Sequence, residues 1–559
     1  MRKRGEITVF LAMILLSMCA LLCGIAESVR TAGARQFLRT AVNASADSLM
    51  AQYHRGLWET YRILGLEHRG KESLEAEMAG FLTPYFEAEN WYPMELNEVR
   101  LRDMTGLTEG NGRYMEQEIL EYMQYGLIGV LWDELDENGA GELLAVLKEG
   151  EGISRISDLY EGHAREAVRL EEALERIETR LTSQRENWEK AGERLEGLDG
   201  SEFVRKAEDV IKDLEKVPGL VETYEKQADR LGESLSGSRV KFEGEKDLGD
   251  QVRQALEDEI RQYETYVDAD GERRREVALL TEKSRNNVDT VRGIIREAEA
   301  VMEYIDSWEP EDDEDELDEE ALWAPVRERW RAYPLLGLNL TFGVEDKETE
   351  GILERISQFM GEGLLGLVLP EGTELSQAVF DLQGLPSLAA GAAGEGQEYE
   401  AGVENLADRL IVCEYAVRYF KPFEKESAPG ASYEMEYILC GDERERENLA
   451  GTVTRLTALR SGLNLAHILT DASKRQEART MAAAIVGGTG LLPLVSVMAF
   501  FIMTQWALGE AIADVKCLLS GGRIPLIKSA SQWKLDLDGL LEMGREGNVS
   551  QPSSSEEGL

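Results

Sequence analysis

Histidine, cysteine and paired carboxylates are the side chains from which a chemical site in this chain would have to be built. His54, His68, His163 and His467 are dispersed, with no HExxH or His-x-His spacing. They supply neither a zinc-type ligand set nor a placed general base. Cys19 and Cys23 lie inside an apolar run and read as small apolar side chains. Cys413 and Cys440 read as two separate thiols in preference to a disulfide. No G-x-S-x-G elbow is present, and GGTGLLPL at 487–494 lacks the Gly-Lys-Ser/Thr end of a phosphate-binding loop. Carboxylates are plentiful, but no spacing locates a pair suited to glycoside hydrolysis. The densest acidic run, Trp308 to Glu320, has ten acidic residues in thirteen without the glycine and glutamate positions of an EF-hand loop. It reads as a solvated linker over 308–324. No catalytic residue, metal or cofactor is therefore expected, and the chain is expected not to be an enzyme.

With 107 acidic and 61 basic side chains among 559 residues, the formal charge is −46. Phosphate backbones demand a cationic surface, so nucleic acid is excluded as a partner. A hydrophobic share of 43% is enough to build a core.

Two uncharged apolar segments stand out. Ile7 to Ala26, ITVFLAMILLSMCALLCGIA, covers about 30 Å as a helix, the thickness of a bilayer's hydrocarbon core. Arg2, Lys3 and Arg4 precede it and favour a cytoplasmic N-terminus, while Arg30, Arg35 and Arg39 follow it. A signal peptide cut after Ala26, with small Gly24 at the matching position, is the competing reading. A lipoprotein is disfavoured because Met18 and Leu22 precede the two cysteines. The second segment, 480–509, reads as a second membrane helix, its first third broken by Gly487, Gly488, Gly490 and Pro493 and its far end carrying Trp506. With two spans and the N-terminus inside, residues 27–479 form one extracytoplasmic loop in a cytoplasmic-membrane protein, and the partner is the lipid bilayer.

Between the segments, 27–150 reads as a membrane-proximal helix followed by the first part of a small α+β domain. Ala41, Ala44, Leu49, Tyr53, Leu57, Tyr61 and Leu64 keep a helical stripe, and Leu96, Val99 and Leu101 suggest a strand. Residues 151–307 carry three heptad-like stripes: Leu170–Leu195, Leu248–Tyr263 and Val288–Ile305. Breaks are expected at Gly197–Gly200, at Pro218–Gly219 and across Gly232–Gly249. This predicts a long antiparallel coiled-coil hairpin with its tip in the last of these, which offers a surface for self-association. Residues 325–479 complete the α+β domain, with short apolar strands or turns in LLGLNLTFGV and LLGLVLPEG and a strand in YEMEYILCG, where Met435, Tyr437 and Leu439 alternate. Helices over 408–423 and 445–478 follow the same domain. Residues 510–559 form a C-terminal tail whose last part, from Gly544, is expected to be disordered. The fold class expected is mainly α with a small α+β domain.

RKRGEITVFLAMILL resembles the leader of type IV pilin-like proteins, in which a basic stretch ends in glycine and an apolar helix follows. Cleavage in that family falls after the glycine, here between Gly5 and Glu6. The family carries glutamate at the fifth mature position, where this chain has Phe10. The resemblance extends further. The run through Glu67, VRLRDMTGLTEGNGRYMEQEILEYMQY, YEMEYILCGDERERENLAGTVTRLTALRSGLNLAHILTD and GEAIADVKCLLSGGRIPLIKSASQWKLDL are similar to an uncharacterised family of bacterial membrane proteins. Its members are often encoded near tight-adherence (Flp-type) pilus genes, and their N-termini resemble TadE-like pseudopilins. The likeness covers about half the chain and brings no catalytic residues.

The resemblance implies a non-enzymatic, membrane-anchored structural or assembly component of a tight-adherence type pilus or secretion apparatus, with envelope or pilus-assembly proteins as partners. The alternative is an extracytoplasmic coiled-coil binding or sensory module. A third possibility, an envelope hydrolase, would need a pocket with converging carboxylates.

Overall fold

The computed structural model describes residues 3–88, 92, 94–110, 112–126, 137–309, 317–360, 363–370, 372–380, 406–423, 433–487 and 491–546. Most of the expected acidic linker (310–316) and the end of the tail (547–559) lie outside them. The first helices are α1 (Lys3–Met50), α2 (Arg55–Tyr61), α3 (Lys71–Glu87) and α4 (Arg113–Gly126). Three long helices follow, α5 (Glu137–Glu196), α6 (Gly200–Gly244) and α7 (Asp250–Ser307). Then come α8 (Glu319–Arg331), α9 (Lys347–Gln358), α10 (Leu364–Val368), α11 (Leu406–Tyr419) and α12 (Glu434–Cys440). The last are α13 (Glu445–Thr470), α14 (Ala472–Val486), α15 (Leu492–Leu519) and α16 (Leu537–Glu546). Two compact units form, one from Met1–Gly141 with Ser376–Asn448, the other from Glu142–Leu375 with Leu449–Leu559.

The expected β component is not supported: among the described residues the only strand-like pairing is one isolated bridge between Val379 and Arg444. Residues 94–104 form no strand or helix; Leu96, Val99 and Leu101 instead pack onto a cluster of α1 and α3 side chains. YEMEYILCG folds as α12, not as a strand. Glu434 and Glu436 sit in its first turn, where carboxylates favour a helix N-terminus, and they accept the backbone N–H groups of Lys421 and Phe423 at 2.8 and 3.1 Å. Gly441 then closes the helix at φ 74°. LLGLVLPEG likewise holds the short helix α10.

In the first unit the polar half of α1 lies on α3. Ala41 and Leu49 of α1 are buried against Leu74, Met78 and Leu82 of α3. At Gly33 an added Cβ would fall 2.6 Å from the Tyr92 hydroxyl, so glycine lets that ring seat against α1. A second cluster joins Tyr61 and Ile63 to Ile119 and Met123 of α4 and to Ile411 and Tyr415 of α11.

In the second unit α5, α6 and α7 run antiparallel in sequence, linked by turns at 197–199 and 245–249. The predicted seam residues Leu170, Leu174, Ile177, Leu181, Leu256, Ile260 and Val291 are all buried between them. The break expected at Pro218 does not occur: α6 passes through it unbroken. Proline removes one N–H bond, a loss that a long helix buried along one side absorbs through its packing (Val217 and Val221 are both buried). The tip falls after Gly244, with Gly232 inside the helix. Asp213 fixes the register of α5 against α6 by accepting from Arg180, Ser183 and Asn187 at 2.8–2.9 Å. Glu171 ties α5 to α7, accepting from the Tyr266 hydroxyl at 2.6 Å and pairing with Arg273 at 2.8 Å.

The apolar helix α15 lies in this second unit. Val497 to Ala513 are buried, with Phe500 edge-on to Tyr263 of α7 and Gly509 seated against Leu540 and Met543 of α16. Gly150 of α5 and Gly462 of α13 meet backbone to backbone, since a Cβ on Gly462 would lie 1.9 Å from the Gly150 carbonyl oxygen.

Candidate membrane anchor and internal polar sites

Among the described residues two helices are long and apolar enough to cross a membrane, one at Glu6–Met50 and one at Leu492–Leu519. They differ in surroundings. None of the most apolar window of the first is buried, whereas 78% of that of the second is. Along α1, Phe10, Leu16 and Leu21 are 65%, 73% and 64% exposed. Leaving such a run in water costs about 25 cal/mol for each Å² of apolar surface, so it requires an apolar environment. The helix then continues without a break for 24 residues past Ala26, about 36 Å, into the first unit. Gly5 and Glu6 lie in its first turn, with Glu6 exposed and well placed for the helix dipole.

At the other end of α15, charges enter the core. Glu510 and Asp514 are wholly buried one turn apart. Arg460 of α13 pairs with Asp514 Oδ2 at 2.7 Å, and Lys528 contacts Glu510 and lies 2.8 Å from Asp514 Oδ1. The two positive and two negative charges balance, which offsets the desolvation cost of burying them. Beside them Lys474 Nζ sits 4.1 Å from the ring centroids of both Trp506 and Trp533, a cation held between two indoles. Both indole N–H groups donate to the Leu535 carbonyl, at 2.8 and 2.7 Å. Burial pushes the Lys474 ammonium below the usual lysine range. His467 stacks on Trp533 and is likewise lowered by burial.

The histidines, unassigned by sequence, are structural pieces. His54 caps α2, its Nδ1 accepting the Leu57 N–H at 3.2 Å. His163 stands in a row, with Nε2 2.8 Å from Ser238 Oγ and Nδ1 3.3 Å from Glu166 Oε2. The order of groups matches a serine-nucleophile triad. Ser238, however, is 4% exposed and in mid-helix, where backbone N–H groups are engaged in the helix ladder and none is left to stabilise an oxyanion. Burial lowers the His163 pKa.

A cavity of about 200 Å³ opens between α5, α9, α13 and α15, lined by Asp158, Glu161 and Arg165 and by the hydroxyls of Ser154, Ser461 and Thr504, among others. Burial, with Glu161 nearby, pushes the Asp158 carboxyl up to about 6. Among the described residues no group of three or more His, Cys, Asp or Glu side chains is placed to hold a metal ion. Cys413 and Cys440 are not joined by a disulfide.

Sequence reasoning found both apolar helices of membrane length but missed the buried charges of α15. One signal was available: Glu510 and Asp514 follow at i, i+4 directly after an apolar run. The partners Arg460 and Lys528 lie 54 and 14 residues from Asp514, beyond the reach of local spacing.

Residues 343–559 match a family of unknown function (DUF5702). No curated protein and no solved structure matches the chain.

Proposed function

We propose that this chain is a non-enzymatic, membrane-anchored structural or assembly component of a tight-adherence type pilus or secretion apparatus in the bacterial cell envelope. The observation that carries the reading is α1, a single helix whose uncovered apolar half fits a bilayer and whose polar half is built into the first unit. The pilin-like order of basic residues, Gly5 and apolar helix supports the same assignment. The enclosure of α15 by its own unit favours one span over two. Residues 27–559 then lie together outside the cytoplasm, and the bundle of α5–α7 offers a surface for other envelope proteins or a second copy. Deletion of the gene is expected to reduce surface piliation, and the tagged protein to co-purify with pilus-assembly proteins. Normal piliation together with no such co-purification overturns the proposal. A membrane-impermeant thiol reagent tests the topology. In a cysteine-free variant carrying Ser520→Cys, labelling of intact cells fits one span, and protection fits two.

A second reading, an extracytoplasmic binding module, is favoured by the cavity of about 200 Å³ beside Asp158. Soluble small molecules that raise the melting temperature of the wild type but not of Asp158→Asn would support it.

A further inference from the structure

The buried charges of α15 hold more than an ion pair needs. Lys528 Nζ touches Glu510 Oε1 and lies 2.8 Å from Asp514 Oδ1, and its side chain is 2% exposed. Glu510 Oε2 accepts the Leu535 N–H at 2.8 Å, and the Lys534 N–H is shared between Oε1 at 3.0 Å and Oε2 at 3.2 Å. Asp514 Oδ2 is occupied by the Arg460 guanidinium at 2.7 Å, which leaves Oδ1 facing the amine. Trp506 and Trp533 meet edge to face beside the group, and water has no access to it. An amine, a carboxyl carbon, two backbone N–H donors on the carboxyl oxygens and a second carboxylate that can carry protons are therefore assembled in a dry interior.

We propose that Lys528 and Glu510 become joined by an isopeptide bond that the folded chain makes on itself. Asp514 Oδ1 takes one proton from the Lys528 ammonium and passes it to Glu510 Oε1, and the neutral amine attacks Cδ of the resulting carboxylic acid. Negative charge gathers on Glu510 Oε2, where the Leu535 N–H holds it, joined by the Lys534 N–H as Oε1 leaves. Asp514 then accepts the second proton from the new C–N nitrogen and delivers that to Oε1 as well. Oε1 leaves as water, and Asp514 ends as it began. One N–C bond forms, one C–O bond breaks, and no oxidant or co-reactant enters. Amine and carboxyl held in contact react at effective molarities on the order of 10⁵–10⁸ M. The product also removes one positive and one negative charge from a site where keeping them is costly. Asp514 stays paired with Arg460 throughout, so the remaining charges balance.

Glu510 is the acceptor and not Asp514 because only Glu510 has backbone donors placed to hold the oxyanion. Asp514, one turn on, is in the position of the proton carrier.

The test is a peptide map of the full-length protein purified from native membranes. The bond predicts a species lighter than its linear sum by one water. Trypsin fails to cut after Lys528, and Thr480–Lys516 is recovered branched to Ile524–Lys534. Lys528→Arg, which keeps the charge, and Asp514→Asn, which removes the proton carrier, are each expected to restore linear peptides. Recovery of linear wild-type peptides cut after Lys528 overturns the proposal, and that measurement needs no variant to fold. A branch that maps to Asp514 instead overturns the assignment of roles.

Discussion

The indoles of Trp188 and Trp330 exchange hydrogen bonds. Each Nε1 donates to the other residue's backbone carbonyl at 3.2 Å, with the rings stacked at 17°. Trp330 is 1% exposed and also meets Phe203 and Tyr333. The pair pins α8 to the end of α5, 142 residues away in sequence. Replacing Trp330 with Ala leaves a cavity and takes the indole donor from the Trp188 carbonyl, while the Trp188 indole keeps its bond to the carbonyl of residue 330. The expected loss is about 3–5 kcal/mol in urea unfolding of the detergent-solubilised protein. A loss below about 1 kcal/mol would mean the pair merely rests on the bundle.

Gly462 should tolerate no side chain. A Cβ there meets the Gly150 carbonyl oxygen, a backbone atom that cannot swing away. Gly462→Ala is expected to destabilise the second unit by about 1–3 kcal/mol or more, read as a lowered thermal midpoint. Gly271→Ala, with open space around its Cβ, serves as the neutral control.

Glu350 gives the fold a pH dependence of defined sign. Burial first, then Glu354 and Glu172 nearby, push its carboxyl up to about 7 from the model-compound value of 4.5. Between those two values the native state holds the proton more tightly than the unfolded chain does. The contribution of Glu350 to stability is therefore full below about pH 4.5 and is lost as pH rises towards 7. Glu350→Gln should flatten that part of the stability-versus-pH profile. An unchanged slope between the two proteins would remove Glu350 from the account.

The anchor should survive maturation. The protein in native membranes is expected to retain the bond between Ala26 and Glu27, as α1 runs through it unbroken. A mature chain starting at Glu27 would refute the anchor, whereas one starting at Glu6 would retain it and identify processing after Gly5. Leu16→Arg, at the middle of the apolar run, adds about 2.5–3.5 kcal/mol to insertion and should shift the protein out of the membrane fraction.

What the sequence disclosed depended on how local the determining contacts are. The stripes of 151–307 were legible because a helix seam repeats every three or four residues, and Leu174, Ile177 and Leu181 are buried as their spacing requires. The membrane-length run at Ile7–Ala26 needed only its own composition. YEMEYILCG misled because Met435, Tyr437 and Leu439 alternate, while the carboxylates that stabilise α12 bond to Lys421 and Phe423, more than ten residues away. Apolar composition could not reveal how far α15 is enclosed by its own unit, since a bilayer and a protein core reward the same side chains. That enclosure, and the meeting of Arg460 and Lys528 with Glu510 and Asp514, are tertiary facts. The same holds for His163, whose partner Ser238 is 75 residues on.

The apolar run of α1, which the proposed function seats in a bilayer, and the face that binds α3 belong to one hydrogen-bonded helix, so they share a rotational phase. Each residue turns an α-helix by about 100° and advances it about 1.5 Å. Inserting a single alanine between Ala26 and Gly33 would therefore lift the first unit only slightly. It would also swing the Ala41, Ser45 and Leu49 face by more than a quarter turn relative to the side chains of the apolar run. Under the proposed anchoring, the azimuth at which the first unit is presented in the membrane plane is thus encoded in the length of α1.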